Sequence, residues 1–318
     1  MPPQNGLIEF VQKQCERPLG REIEALADEV RARHEGTLAL LFYGSCLRDG
    51  ETKGTIVDLY LIVEDLKAAL ASALSATTCT MLPPNVYYLE TEHDGQTLRT
   101  KYAVLSLSQF ERGTSRKAFH SYFWARFCQP TAIVVPDQPD RDAIALRLSA
   151  AMAAAAQRMA ETILPLLPDA FSGETLWVVG FKETYKCELR AETPARAQQI
   201  VDADKLYFLN LTKLILNNRG DVECEMLAGE PRYYHSSHQI STALCRFRWF
   251  VRMVWGKILS VLRLMKAAFT FDGGARYLAW KIERHSGQRV MVKPWMERHP
   301  ILGSLSVFWR LYKKGAFR

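Results

Sequence analysis

The sequence predicts an α+β protein, and three features of its 318 residues carry that expectation. Short apolar runs rich in β-branched residues, bounded by turn residues, occupy the first 138 positions and read as a sheet with helices. From 139 to 240 the pattern turns helical, beginning with an alanine-rich stretch. From 241 to 318 the chain becomes basic and amphipathic. These ranges are the expected domains: a sheet-bearing domain over 1–138, a helical domain over 139–240 and a basic C-terminal segment over 241–318.

The elements follow in order. Leu7, Phe10, Val11, Ile23, Leu26 and Val30 recur among charged residues and predict helix over 7–34, interrupted at Pro18 and Gly20. The apolar run 37–46, ending in Tyr43-Gly44-Ser45, predicts a buried strand entering a turn. A polar loop leads to a second strand over 55–63, and residues 65–76 read as a short helix. Residues 85–92 and 98–107 predict two strands joined around Asp94-Gly95, a strong hairpin signal. A helix is expected over 115–127 and a short strand over 131–135. The alanine-rich helix runs from 140 to 167, where Pro165 and Pro168 stop it. Residues 174–218 read as two helices split at Pro194, and 219–240 as loop.

Composition narrows the class. Hydrophobic residues make up 48% and charged residues 24%, which suits a packed core rather than a disordered chain. Seven scattered cysteines without a Cys-x-x-Cys pair indicate neither a zinc site nor a disulfide framework, and reduced thiols are expected. The first residues lack a basic stretch followed by an apolar one, so no secretory signal is expected. No apolar run approaches the ~18 residues of a spanning helix. The net charge of +7 is uneven: residues 241–318 hold 16 Lys and Arg against 3 Asp and Glu, while the rest of the chain is slightly acidic. Such a tail calls for an anionic partner, either nucleic acid or an anionic membrane surface.

Chemistry is concentrated where the first strand ends in Gly44-Ser45 and the second carries Asp58. A glycine lets the backbone approach a triphosphate, a serine hydroxyl and following amides can hold its oxygens, and a strand can point an aspartate at Mg²⁺. Nucleotidyl transfer depends on positioning and charge neutralisation and uses at least two carboxylates. Candidates for the second are Glu64, Asp65, Glu90, Glu92 and Glu188. The arrangement resembles the opening of the DNA polymerase β-like nucleotidyltransferase superfamily, with Tyr60 standing where many members place the second carboxylate.

Further segments add to this in order: Asn85-Val86-Tyr87-Tyr88, then Lys101-Tyr102 with Val104 and Ser106, then Tyr122, Arg126 and Pro130. Leu167-Pro168-Asp169-Ala170-Phe171-Ser172 follows, and then Tyr185, Glu188 and Arg190. The series resembles the mitochondrial translocator assembly and maintenance family over about residues 40–210. Members of that family are peripheral-membrane CDP-diacylglycerol synthases with bacterial relatives. Cys46, Ala103, Ala125 and Cys187 stand where the family has glycines.

The resemblance implies a nucleotidyltransferase-like mixed sheet and a metal-dependent phosphatidate cytidylyltransferase of phospholipid biosynthesis. CTP and phosphatidic acid would give CDP-diacylglycerol and pyrophosphate, with Mg²⁺ as cofactor, on the cytoplasmic face of a membrane. It implies that Tyr43, Gly44 and Ser45 hold the CTP phosphates and that Asp58 and Glu188 bind the metal. Lys101 would neutralise phosphate charge, and Arg126 and Arg190 would make further phosphate contacts, since a guanidinium grips phosphate with two parallel bonds.

In the tail, residues 244–271 place Phe247, Phe250, Val251, Val254, Ile258, Val261, Leu262 and Met265 on one helical arc. Arg246, Arg248, Arg252, Lys257, Arg263 and Lys266 fall on the other, and residues 301–318 repeat the character. Two arrangements are open for 244–271: the apolar arc completes a core and leaves the bases exposed, or it meets a bilayer. For 301–318 membrane contact is expected. Interleaved bases and aromatics also suit RNA, so a nucleotidyltransferase acting on RNA is a second reading, and an inactive membrane-docking scaffold a third. The motif series favours the lipid acceptor.

Overall fold

The computed structural model describes residues 3–44, 47, 55–189, 195–217, 219–227, 229–235 and 239–270. It mixes α and β structure around a five-stranded sheet. The strands are β1 (Thr37–Tyr43), β2 (Val57–Val63), β3 (Asn85–His93), β4 (Gln96–Ser106) and β5 (Thr131–Val134), in the order β3-β4-β2-β1-β5. Every position of β2 is buried except Asp58. That is the burial of an interior strand covered on both sides, which is why its sequence is a continuous apolar run rather than an alternating one.

The described residues fall into two compact units, the first drawn from Met1–Leu19, Leu41–Gly50 and Ser106–Val261, the second from Gly20–Leu40, Glu51–Leu105 and Leu262–Arg318. In the second unit, helix α2 (Arg21–Arg31) buries Ile23, Leu26, Ala27 and Val30, the i, i+3, i+4, i+7 stripe of an amphipathic helix. It is separate from α1 (Pro3–Cys15), as Pro18 and Gly20 predict. Two short helices follow β2: α3 (Leu66–Ala69) and α4 (Ala73–Met81). Asp65 caps the first and Ser72 the second. Strands β3 and β4 form the expected antiparallel hairpin, with Asp94 (φ 49°) and Gly95 (φ 73°) in the left-handed region that a two-residue turn requires.

His34 packs beside the rings of Tyr87 and Tyr102, which stack on each other. Its Nδ1 donates to the Ala69 carbonyl at 2.7 Å, and its Nε2 lies 3.1 Å from the Tyr102 hydroxyl, which can donate to it. One donor and one acceptor describe a neutral imidazole. Burial agrees, holding the His34 pKa below its ordinary value.

In the first unit, α1 buries Leu7, Val11 and Cys15 against α7 (Arg141–Ile163), whose run of small side chains permits close approach. The expected helix over 115–127 is reduced to α6 (Trp124–Phe127). The helical turns fall earlier, in α5 (Leu107–Thr114), where Ser106 and Gln109 form a capping box that ends β4 and starts the helix. The region read as two helices contains three: α8 (Gly173–Lys186), α9 (Ala195–Ala203) and α10 (Lys205–Leu216). The buried Trp177 indole of α8 donates to the Phe208 carbonyl and the Thr212 hydroxyl of α10, so its polar atom is satisfied. Residues 219–240, expected as loop, hold a hairpin of β7 (Glu223–Leu227) and β8 (Glu230–Tyr234), turned through Gly229 at φ +84°. With β6 (Ala170–Ser172) they make a small sheet in which Phe171 stacks on Tyr233.

The last described element, α11 (Gln239–Thr270), turns half of its basic arc inward and leaves Arg246, Arg248 and Lys257 exposed. In the first unit Trp249 and Arg252 are buried, with Trp249 donating to the Thr162 carbonyl and Arg252 Nε to that of Phe119. In the second unit Arg263 donates to the Pro83 carbonyl and Lys266 to those of Leu82 and Pro84. The apolar arc faces outward: Phe247 is 63% exposed, Phe250 58% and Met265 59%. Neither helical face therefore follows the core-completing arrangement, because guanidinium and ammonium groups find backbone carbonyls while the apolar side chains find no cover among the described residues.

Two outcomes follow from these contacts. A Cβ at Gly256 would lie 2.3 Å from the Cys187 carbonyl oxygen, so Gly256→Ala should lower the urea unfolding free energy by about 1–3 kcal/mol. His34, with its folded pKa below its unfolded value, contributes stability that is present above pH ~6.5 and lost as pH falls toward the folded pKa. Urea titrations between pH 7.5 and 5 should show a shallower loss for His34→Gln than for the native chain.

Candidate functional site

Asp58 is the single opening in an otherwise buried strand, and it faces a cation. Its Oδ1 lies 3.1 Å from Lys101 Nζ on the neighbouring strand β4, with both side chains a little over one-third exposed. The register beneath them is pinned by Thr100, whose buried hydroxyl donates to the Val57 carbonyl at 2.9 Å. At this exposure the ion pair adds no more than about 1 kcal/mol to stability. Its significance is chemical: a carboxylate and an ammonium held side by side on rigid strands.

The pair belongs to a row. Residues opposite each other in an antiparallel hairpin share a face, and here Tyr88 stands opposite Lys101 and Glu90 opposite Arg99. Arg99 Nε donates to Glu90 Oε1 at 2.9 Å, and the Tyr88 hydroxyl donates to the same oxygen at 2.8 Å. Burial, then the hydrogen bond to Glu90 and its charge, hold the Tyr88 phenol protonated well above its usual range. Tyr88 therefore acts as a donor at neutral pH. One face of the second unit thus presents Asp58, Lys101, Tyr88, Glu90 and Arg99, with cations and acceptors alternating.

A second arrangement lies within the first unit. Arg126 on α6 and Glu188, just past the end of α8, form a fork-on-fork pair: Nη1 to Oε1 at 2.8 Å and Nη2 to Oε2 at 2.9 Å. Both side chains are only 9% exposed. The Arg126 guanidinium also lies 3.9 Å from the Tyr122 ring centroid and donates to the Tyr122 carbonyl. Such a pair is short, directional and strongly coupled.

The sequence-derived residues are placed as follows. Asp58 and Lys101 meet, as do Arg126 and Glu188, so the Tyr122/Arg126 motif and the Tyr185/Glu188 motif converge. Both Glu188 oxygens, expected on a metal, accept hydrogen bonds from Arg126. Gly44 ends β1 at φ +94°, a conformation that favours glycine, and Tyr43 packs near Phe127. Ser45 and Arg190, together with the tail segment 301–318, lie outside the described residues. Of the other carboxylates considered, Asp65 caps α3, Glu90 is held by Arg99 and Tyr88, and Glu92 accepts from Thr97. Among the described residues, no group of three or more His, Cys, Asp or Glu side chains is placed to hold a metal ion. The roles of Tyr88, Glu90 and Arg99 as a row were missed, although counting outward from a two-residue turn at Asp94-Gly95 gives these pairings directly.

No family model matches the chain, and no curated protein matches it significantly.

Arg126→Met should leave the Glu188 carboxylate buried without its cation, a change that costs about 3–5 kcal/mol when one partner of a buried pair is removed. Chemical denaturation should show that loss, and the double variant with Glu188→Gln should recover part of it.

Proposed function

We propose that the protein is a nucleotidyltransferase that joins CTP to phosphatidic acid, forming CDP-diacylglycerol and releasing pyrophosphate. The observation that carries this reading is the Asp58–Lys101 pair: the two residues singled out for metal and phosphate chemistry stand 3.1 Å apart on adjacent strands. The ordered motif series of the sequence supports the choice of nucleotide and acceptor.

In this reaction an oxygen of phosphatidate attacks the α-phosphorus of CTP, and the bond to pyrophosphate breaks. The nucleophile is already an anion, so no strong base is needed, and bringing two anions together is the main electrostatic demand. Lys101 meets part of that demand by turning its ammonium from Asp58 to a phosphate oxygen. Arg99 and the Tyr88 hydroxyl, on the same face, are engaged by Glu90, so Lys101 carries most of the positive field there. Mg²⁺ is commonly held by one or two carboxylates together with substrate phosphates. Asp58 fits that use, and the ion would neutralise triphosphate charge when bound with the nucleotide.

A lipid acceptor also requires contact with a bilayer. The outward side of α11 supports this: Phe247, Phe250, Val254, Trp255, Ile258 and Val261 are all more than 40% exposed. Arg246, Arg248 and Lys257 lie exposed beside them, and the helix contains no acidic residue. An apolar stripe with a basic rim is the pattern of a helix lying in an anionic interface. Among the described residues no helix is long and apolar enough to cross a membrane.

The test is transfer of label from CTP into a lipid-soluble product, with Mg²⁺ and phosphatidic acid in mixed micelles. Asp58→Asn should lower turnover by at least about 100-fold and Lys101→Met by about 10–100-fold, while both variants keep native unfolding midpoints. A folded native chain that labels no phosphatidic acid would overturn the proposal. Labelling of RNA instead would establish the second reading, and the absence of any transfer the scaffold.

A further inference from the structure

Three arginines converge in the first unit on a cavity of about 340 Å³ between α7 and α11. Arg158 comes from α7, Arg248 and Arg252 from α11, and Phe119 and Trp249 complete much of the wall. Arg252 is 2% exposed, its guanidinium 4.3 Å from the Trp249 ring centroid and 4.9 Å from that of Phe119. Arg158 Nε donates to the Ala118 carbonyl at 3.0 Å and Arg252 Nε to the adjacent Phe119 carbonyl at 2.6 Å. The two arginines are thus fixed through Nε on consecutive carbonyls. Among the described residues their Nη groups have no hydrogen-bond partner, and no carboxylate pairs with Arg158, Arg248 or Arg252.

The one carboxylate lining the cavity is Glu161, and both its oxygens accept from Arg116, one from Nε and one from Nη2. A buried cation without a counterion is disfavoured, and protein interiors supply one from a side chain or a ligand. The crowding has a titration signature: burial, then the charge of Arg158, push the Arg252 pKa down to about 10. Burial likewise lowers that of Arg158; the nearby Glu161 charge opposes this in part, and Arg248 and Arg116 add to the lowering. An anion between them would remove the repulsion.

We infer that this cavity is a binding site for a phosphate monoester, gripped by Arg158, Arg248 and Arg252. Guanidinium forks match phosphate oxygens, and three of them suit a dianion better than a carboxylate. The volume lies near the ~300 Å³ lower end of small-molecule sites, enough for a phosphate with a small substituent. Leu244, 48% exposed, lines the cavity and also belongs to the outward apolar arc of α11. The phosphate can therefore come from a free ester or from a lipid headgroup. The site stands on the geometry of the first unit and does not depend on the transferase reading, so its test reads binding and not turnover.

Inorganic phosphate is titrated calorimetrically into the full chain, and sedimentation is measured with vesicles of phosphatidylcholine alone or mixed with phosphatidic acid or phosphatidylglycerol at matched charge. Arg158→Gln and Arg248→Gln should each weaken phosphate binding at least tenfold. Lys182→Gln, which removes the same charge from an exposed position of α8 outside the cavity lining, should leave it unchanged. Loss of preference for phosphatidic acid over phosphatidylglycerol in the two arginine variants assigns the site to a lipid headgroup. Loss of phosphate binding with vesicle binding unaltered assigns it to a free ester. The inference is overturned if the native chain neither binds phosphate nor prefers phosphatidic acid, if both arginine variants match it in both measurements, or if Lys182→Gln weakens phosphate binding as much as they do.

Discussion

A cation can leave water only where oxygen or a π face is waiting for it, and this requirement organises much of the chain. Arg126 is met by a carboxylate, a carbonyl and a tyrosine ring. Arg252 is met by one carbonyl and several aromatic rings. Arg263 and Lys266 are met by three successive carbonyls at Leu82, Pro83 and Pro84. Prolines lack the N–H of a regular ladder, so a segment of this kind can turn its carbonyls toward a side chain. The result is that α11 docks through polar groups and its apolar arc is left facing out. Hydrophobic burial contributes Trp249, which packs on the buried Trp124, but leaves the rest of the apolar arc uncovered.

The same requirement separates the two charged pairs. Asp58 and Lys101 are partly exposed and joined at one distance, an arrangement that can open at small energetic cost when a ligand arrives. Arg126 and Glu188 are buried and joined twice, an arrangement suited to holding α6 and the end of α8 in place. Rigid strands beneath the first pair and a locked fork in the second illustrate two uses of similar chemistry, one able to exchange partners and the other built to keep them.

Much of this was legible in the sequence. Pro18 and Gly20 mark the break between α1 and α2, Asp94-Gly95 fixes a hairpin and its register, and the lone aspartate in an apolar strand identifies Asp58. The misses have physical causes. The helix α5 starts inside an apolar run whose pattern suits a strand, and only the Ser106/Gln109 capping box distinguishes the two. The β7–β8 hairpin lacks an apolar alternation because β7 is exposed throughout, and its turn carries a single glycine signal. The wheel of α11 separates two arcs but cannot say which faces the body, since long basic side chains can reach carbonyls. The arginine cavity joins positions about ninety residues apart, a proximity that no local pattern encodes.

The inward turn of α11 changes how its charge should be counted. The helix carries six basic residues, but Arg252, Arg263 and Lys266 are engaged with carbonyls and only Arg246, Arg248 and Lys257 stand exposed. Its formal charge therefore overstates the field it projects into solution. Attraction at long range, over a Debye length of roughly 8 Å at physiological ionic strength, draws mainly on the exposed three. Added salt would weaken the approach of this helix to an anionic surface while leaving the apolar contact that follows largely intact.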